Sequence, residues 1–160
     1  MRKKLMFVAL AAAAVSICVS VACGSGPSGS PQAVVLESIS PSSGPFGTAV
    51  TIRGSGFTAA NNDVGFTNPK ISYQGRQTAY LNGLCTADGK TLRFSLADTL
   101  GACAFSQLKP SEACPAIGLL LPTGDSGVFV ANENGTSNSV TFTVSGSPTA
   151  EPSPTPARAS

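Results

Sequence analysis

Residues 38–57 read SISPSSGPFGTAVTIRGSGF and carry the clearest structural pattern in the chain. Between 48 and 53, apolar and polar side chains alternate, so that Val50 and Ile52 share one face of the segment. Alternation with period two is typical of a β-strand that has one buried and one solvated face. The segments on both sides are rich in Gly, Pro and Ser, which predicts a turn at each end of this strand.

The same alternation recurs at 91–96 and 139–144, and it predicts two more strands. Val128 and Val130 indicate a fourth strand, in which the intervening Phe129 points outward. These strands supply the predicted core, which consists of Val50, Ile52, Leu92, Phe94, Leu96, Val128, Val130, Val140, Phe142 and Val144.

A fifth strand is predicted over 34–39. Its apolar residues Leu36 and Ile39 are three positions apart, so both can face the core only across a β-bulge. Asp-Gly and Asn-Gly dipeptides within 87–90 and 132–135 predict hairpin turns. No segment keeps a helical period over ten residues, and short strands with regular turns are typical of an all-β, two-sheet sandwich.

The opening stretch, 38–57, resembles the start of an IPT/TIG domain, which has an immunoglobulin-like fold. Residues 132–144 read NENGTSNSVTFTV and resemble the closing hairpin of the same family. The resemblance implies an immunoglobulin-like β-sandwich of about seven strands. Two stretches between these motifs, 67–87 and 97–122, are then inserted loops. Members of the family bind proteins, carbohydrates or DNA, or act as spacers, so the resemblance alone implies no particular site.

The N-terminus has the three parts of a secretory signal, with basic residues at 2–4, an apolar stretch at 5–22 and small residues before Cys23. The sequence VSVA followed by Cys23 resembles the lipobox of bacterial lipoproteins. The resemblance implies that residues 1–22 are a signal peptide and that Cys23 is acylated. The protein is therefore expected to be exported and lipid-anchored to the bacterial cell envelope, at the outer membrane or the outer face of the cytoplasmic membrane.

Composition divides the rest of the chain into three parts. Residues 23–31 are rich in Gly and Ser, which predicts a flexible tether between anchor and domain. Residues 32–145 have the length of one domain and are expected to fold as a monomer. Residues 146–160 contain four Pro and no large apolar side chain, which predicts a disordered tail.

Removal of the signal changes the charge balance of the protein. Loss of three basic residues from ten leaves seven, against eight acidic residues, so the mature net charge is −1. A charge this small creates no field that would attract nucleic acid. The expected partners are therefore a membrane, through the lipid anchor, and a protein or carbohydrate ligand, with no nucleic acid among them.

Three cysteines remain after export and acylation, namely Cys85, Cys103 and Cys114. Exported proteins can form disulfides. Cys103 and Cys114 lie in one long predicted loop, which needs a constraint to keep its shape. The sequence therefore predicts a Cys103–Cys114 disulfide with Cys85 left as the odd thiol. The alternatives are a bridge from Cys85 to either of these residues, or reduced thiols.

The chain contains no His, which excludes Ser-His-Asp and Cys-His catalysis and histidine zinc sites. The cysteine spacings match no metal motif, and acidic residues such as Asp63 and Asp88 lie beside turn-forming residues. A calcium site at 61–63 lacks the spaced acidic ladder of an EF-hand. We therefore expect no enzyme activity, no catalytic residue, no metal site and no cofactor.

Two apolar features have two interpretations. Phe129 projects outward, and residues 116–121 form the dense apolar run AIGLLL. They form either a contact surface or an extra strand or lid that folds onto the sandwich and covers Phe129. The second is favoured, because monomers seldom expose large apolar patches.

Two functional hypotheses follow. The first is a membrane-tethered, extracytoplasmic binding or adhesion module without catalytic activity. The alternative is a passive structural spacer or an accessory subunit of an envelope complex.

Overall fold

The computed structural model describes residues 32–109 and 111–146. The predicted signal peptide, the tether with Cys23 and nearly all of the predicted tail lie outside these residues. Within the described part of the chain, no helix has the length and apolar character needed to cross a membrane.

Eleven strands and one 3-10 turn make up the regular structure of residues 32–109 and 111–146. The strands are β1 Val35–Ser40, β2 Ser43–Gly44, β3 Ala49–Ser55, β4 Asn62–Thr67, β5 Thr78–Leu84, β6 Thr91–Ser95, β7 Thr99–Gly101, β8 Gly118–Leu120, β9 Gly124–Asn132, β10 Gly135–Thr136 and β11 Val140–Val144. The 3-10 turn is Phe105–Gln107.

These strands form two sheets. The smaller sheet has the order β1-β3-β6, and the larger has the order β2-β11-β9-β4-β5-β7-β8, with β10 paired to β9. The strands of five or more residues are β1, β3, β4, β5, β6, β9 and β11. They confirm the predicted immunoglobulin-like, two-sheet sandwich, while the short strands lie at the ends of the larger sheet or beside β9.

The smaller sheet contains the alternating strand on which the sequence analysis began. β3 pairs antiparallel with both of its neighbours and places Ile52 opposite Leu92. The pairing of β1 with β3 shifts register between Leu36 and Ser38. This irregularity confirms the predicted β-bulge, because it lets Leu36 be buried while Ile39 packs against the same core.

One apolar core lies between the sheets. Eight of the ten predicted core residues are buried, whereas Phe94 and Val140 are only partly buried and pack against the core. Phe94 meets the fully buried Phe66 edge to face, with ring centroids 6.3 Å apart. Phe66 and its neighbour Val64 are not apparent from the sequence, because their strand lacks an alternating pattern.

That strand, β4, is buried on both faces from Asn62 to Phe66. Val64 and Phe66 face the core, while Asp63 and Gly65 lie on the opposite face. A strand covered on both faces shows no polar–apolar alternation. The interpretation of Asp63 as a turn residue is therefore wrong, because Asp63 is a fully buried strand residue.

The two predicted hairpin turns have different outcomes. A tight turn joins β9 to β10 and pairs Gly135 with Asn132, which confirms the second hairpin. The hairpin at 87–90 is wrong, because that segment joins β5 to β6, which lie in different sheets. Gly89 has the positive φ of 67° that such a turn needs. An Asp-Gly dipeptide thus predicts the local turn but not the sheet that the next strand enters.

Asp88 stabilises this connection between the sheets. Its carboxylate accepts hydrogen bonds from the Thr86 hydroxyl, the Lys90 N–H and both the N–H and the hydroxyl of Thr91. These bonds, led by that of Thr86, hold the pKa of Asp88 well below its usual range. The stability that they contribute is present above the ordinary Asp pKa and is lost as the pH falls towards the lower value of the folded state.

The two stretches that were expected as insertions differ in structure. Residues 67–87 include β5, a long strand of the larger sheet, so only the loop before β5 is additional to the sandwich. Residues 97–122 run through β7, the 3-10 turn and β8. They extend one end of the larger sheet and fold over its outer face.

Candidate functional site

An aromatic pair lies on the outer face of the larger sheet. Phe129 of β9 and Tyr80 of β5 pack edge to face, with ring centroids 6.1 Å apart and ring planes at 87°. Gly65 of β4 lies between them and is opposite both residues in the strand register. A Cβ atom at this position would overlap the Phe129 ring. The absence of a side chain at Gly65 therefore allows the pair to meet across the intervening strand.

Strand β7 brings the second insertion to the same face. Tyr80 pairs with Gly101 at the end of β7, so the chain that leaves β7 begins beside Tyr80. Ala102, Cys103 and Ala104 are buried there, and the 3-10 turn follows. We call residues 102–115 the disulfide loop; Pro110 within it lies outside the described residues.

Asp63 fastens the disulfide loop to the sheet. One of its carboxylate oxygens accepts hydrogen bonds from the N–H and the hydroxyl of Ser106, both at 2.7 Å. The other oxygen accepts the Gly83 N–H at 3.0 Å. Burial of a carboxylate is costly unless hydrogen-bond donors replace the water that it loses. Two of the three donors to Asp63 belong to Ser106, so Asp63 is stable in the buried position only while Ser106 stays in place.

A disulfide is the second constraint on the loop. Cys103 and Cys114 are bonded, with Cα atoms 6.0 Å apart, which confirms the predicted pairing. Cys85 follows β5 and lies outside this bridge. The prediction that it is the odd thiol is wrong, because Cys85 is itself disulfide-bonded. Gln107 adds a third attachment, because its side-chain amide donates to the Thr136 hydroxyl at 2.9 Å. The loop is thus held at several points along its length.

A tight turn before β5 faces the disulfide loop. Tyr73 and Arg76 form a β-bridge in which each N–H donates to the carbonyl of the other, at 3.1 and 2.9 Å. Gln74 and Gly75 between them have φ values of 50° and 77°, as a type I′ turn requires. For Gln74 this left-handed conformation costs roughly 1–2 kcal/mol. The turn holds Tyr73 and Arg76 side by side at its base.

The tight turn, Tyr80 and the disulfide loop enclose a pocket of about 350 Å³. Its polar side chains are those of Tyr73, Gln74, Arg76, Tyr80, Gln107 and Glu112. Small apolar groups such as Ala102 and Ala104 line the remainder, together with Leu108. Small-molecule sites are concave and have a few converging polar groups on a mostly apolar lining, and this recess has the converging polar groups with a more polar lining. We call it the loop pocket, and it is the candidate functional site.

The charged and titratable groups of the loop pocket are balanced. Burial raises the pKa of Tyr80, an effect that Arg76 opposes and Asp63 reinforces. The Tyr80 hydroxyl therefore stays neutral at physiological pH and can donate a hydrogen bond. Arg76 and Glu112 are both exposed and contribute opposite charges to the pocket.

The residues considered for calcium, 61–63, have other roles. The Asn62 side chain donates to the carbonyls of Thr58 and Leu84 and accepts the amide of Asn132. The adjacent carboxylate holds the disulfide loop. Among the described residues, no three His, Cys, Asp or Glu side chains lie close enough to hold a metal ion.

The apolar run at 116–121 forms β8, which pairs with β7 at the end of the larger sheet. Leu121 is buried, whereas Leu120 is 75% exposed. The prediction of an extra strand is thus confirmed. The prediction that this strand covers Phe129 is wrong, because β4, β5 and β7 lie between β8 and the strand of Phe129, and Tyr80 packs against Phe129.

Cys23, the predicted lipidation site, lies outside the described residues. One feature of the loop pocket, the Cys103–Cys114 bridge, was predicted from the sequence, and none of the polar side chains that line the pocket was. One signal was available, since the whole chain has only two tyrosines and both line this pocket. A count of tyrosines does not show, however, that Tyr73 and Tyr80 are close in space.

An IPT/TIG domain model matches residues 35–96. The match confirms the family resemblance and covers β1 to β6. It includes the tight turn and Tyr80 but ends before the disulfide loop, so one wall of the loop pocket lies outside the matched residues. No curated protein sequence matches the chain. Domains of this family are immunoglobulin-like modules that are often used in binding or adhesion and are generally non-catalytic.

Proposed function

From the IPT/TIG domain that this chain carries, we propose that the protein is a non-catalytic binding module of the bacterial cell envelope. An acylated Cys23 holds it in a membrane, and the loop pocket holds its ligand. The Gly- and Ser-rich tether at 23–31 supports this arrangement, because a flexible segment lets a folded domain stand away from the bilayer. Gly24, rather than Asp, after Cys23 favours the outer membrane where the host has one.

The construction of the loop pocket is the observation that carries the proposal. A passive spacer needs two sheets and a core, and the long strands already supply both. This chain adds a loop that is largely exposed, and fixes it with a disulfide and a buried carboxylate. Ordering such a loop costs conformational entropy while burying little apolar surface. The fixed loop therefore favours a binding role over a spacer role, because the loop forms a recess that the core does not need.

The anchor is tested by metabolic labelling of the full chain with palmitate in a bacterial host. Because the lipobox motif ends at Cys23, we expect Cys23→Ser to abolish labelling and to leave the protein in the soluble fraction. Cys18→Ser is the matched control and should label like the wild type. Labelling that survives Cys23→Ser, or that is lost in Cys18→Ser, would show that the anchor is assigned to the wrong residue.

Binding is tested with the purified mature chain, residues 23–160, on insoluble envelope material from the producing cells. We expect saturable retention that Tyr73→Ala weakens roughly tenfold, because a tenfold loss corresponds to one contact worth about 1.4 kcal/mol. Leu120→Ala is the control, since it removes the most exposed large apolar side chain among the described residues, and Leu120 is not part of the pocket lining. No retention, or equal retention of both variants, would support the spacer role instead.

A further inference from the structure

We propose that the ligand of the loop pocket is a neutral saccharide. This inference rests on the proposed function, because it takes the loop pocket to be the binding site. The chemical class of the ligand follows from the groups that line the pocket, their charge and the size of the recess.

The lining suits a ligand that carries many hydroxyl groups on a compact apolar frame. Tyr73 and Tyr80 provide aromatic surface together with a phenolic hydroxyl that both donates and accepts. The side chains of Gln74 and Gln107 also line the pocket; each amide carries donors and an acceptor, and one N–H of Gln107 is already donated to Thr136. Sugar rings offer the matching combination, with C–H groups on their faces and hydroxyls around their edges.

The charge balance of the pocket favours a neutral ligand over an ionic one. A phosphate or carboxylate near Arg76 would lie in the same small recess as Glu112, and an ammonium group near Glu112 would meet Arg76. A neutral hydroxyl can use both side chains, because it donates to the carboxylate and accepts from the guanidinium. Charge-assisted hydrogen bonds of this kind are stronger than those between neutral groups.

The shape of the pocket favours a small polar ligand over a peptide. A volume of about 350 Å³ is near the lower end of the range of about 300–1,000 Å³ for ligand pockets. Peptide recognition uses an extended groove or sheet edge with pockets for apolar side chains. The apolar lining here consists mainly of small groups such as Ala102, Ala104 and Ala113, and the exposed Leu120 belongs to β8, outside the pocket.

The walls of the pocket are set before a ligand arrives. The strained Gln74 backbone presents one wall, and the disulfide and the Asp63–Ser106 bonds hold the other. Preorganisation of this kind reduces the entropy lost on binding. It matters most for saccharides, whose hydroxyls exchange one set of hydrogen bonds with water for another of similar strength.

The protein contains its own reporter for this test. It has no Trp and two Tyr, and both tyrosines line the loop pocket. Tyrosine emission from the mature chain therefore reports on this pocket alone. We expect an array of neutral, acidic and basic glycans to identify neutral oligosaccharides as ligands. Titration with the oligosaccharides that bind should then change tyrosine emission and protect it from acrylamide quenching.

Matched variants locate the binding and separate its chemistry. We expect Tyr73→Ala to weaken binding roughly tenfold, a loss of about 1.4 kcal/mol. Tyr73→Phe, which keeps the ring, should stay within about threefold of the wild type. Leu120→Ala should bind like the wild type, and Tyr80 remains as the fluorophore in all three variants.

Three results would overturn the saccharide assignment. In the first, no neutral glycan on the array binds the protein. In the second, acidic or basic glycans bind more tightly than neutral ones, and in the third, Tyr73→Ala leaves the binding of neutral glycans unchanged. The proposed function is judged separately by retention on envelope material. If that retention depends on Tyr73 but survives periodate oxidation and is lost on protease treatment, the pocket binds a protein, and the saccharide inference alone fails.

Discussion

Replacing Phe142 by Ala is expected to lower the free energy of unfolding by about 3–5 kcal/mol. Phe142 is completely buried, and β11 places it between the sheets, where its pairing partner β9 restricts any collapse of the backbone into the space left behind. The cost therefore combines lost apolar burial with a residual cavity. Urea unfolding of the mature chain, followed by far-ultraviolet circular dichroism, measures it.

Phe105→Ala provides the matched control. It is the same chemical change at a side chain that is 55% exposed, and surface substitutions usually alter stability by less than about 0.5 kcal/mol. A similar loss of stability in both variants would mean that Phe142 does not occupy the core. The loss of about 3–5 kcal/mol expected for Phe142→Ala is large, because the free energy of unfolding of a small domain is only about 5–15 kcal/mol.

Replacing Asp63 by Ala is expected to cost about 2–4 kcal/mol, since a donor that loses its acceptor costs about 1–3 kcal/mol where it is buried and less where water can replace the acceptor, as it can at the exposed Gly83. The variant removes the acceptor for the N–H groups of Gly83 and Ser106 and for the Ser106 hydroxyl. The disulfide loop then loses its attachment to the sheet while the Cys103–Cys114 bond persists. We expect lower stability in urea and increased acrylamide quenching of tyrosine emission, because Tyr73 and Tyr80 both lie beside the loop.

Two further variants separate this effect from a general loss of charge. Asp63→Asn keeps the shape but directs an amide donor at one of the protein donors, so an intermediate loss is expected. Asp125→Ala is the control, because Asp125 is exposed and accepts one bond from the Thr143 hydroxyl. If Asp63→Ala behaves like Asp125→Ala and leaves tyrosine quenching unchanged, Asp63 does not anchor the loop.

Features of the fold that depend on residues close in the chain were predictable from the sequence. The alternation at 48–53, the β-bulge after Leu36 and the turn at 132–135 depend on residues close in the chain, and all three are confirmed. The bridge between Cys103 and Cys114 is also confirmed, because both cysteines lie in one loop that needs a constraint.

The incorrect predictions involve residues that meet partners distant in the chain. Asp63 follows two Asn residues and looks like a turn former, yet its position in β4 is covered by a loop about 40 residues later. The turn at 87–90 has hairpin chemistry but leads into the other sheet. The run at 116–121 packs at the end of the larger sheet rather than over Phe129.

The amino-acid sequence by itself determined the all-β class, the IPT/TIG resemblance and the sandwich, and it favoured the loop disulfide over the other pairings, because side-chain alternation, turn dipeptides and cysteine spacing are local properties of the chain. Only the tertiary structure decided where a ligand can bind. The tight turn at 73–76, Tyr80 and the disulfide loop come together because β7 pairs with β5 at Tyr80 and Asp63 holds Ser106. Strand order and buried hydrogen bonds depend on the whole fold, so no local pattern could reveal this pocket.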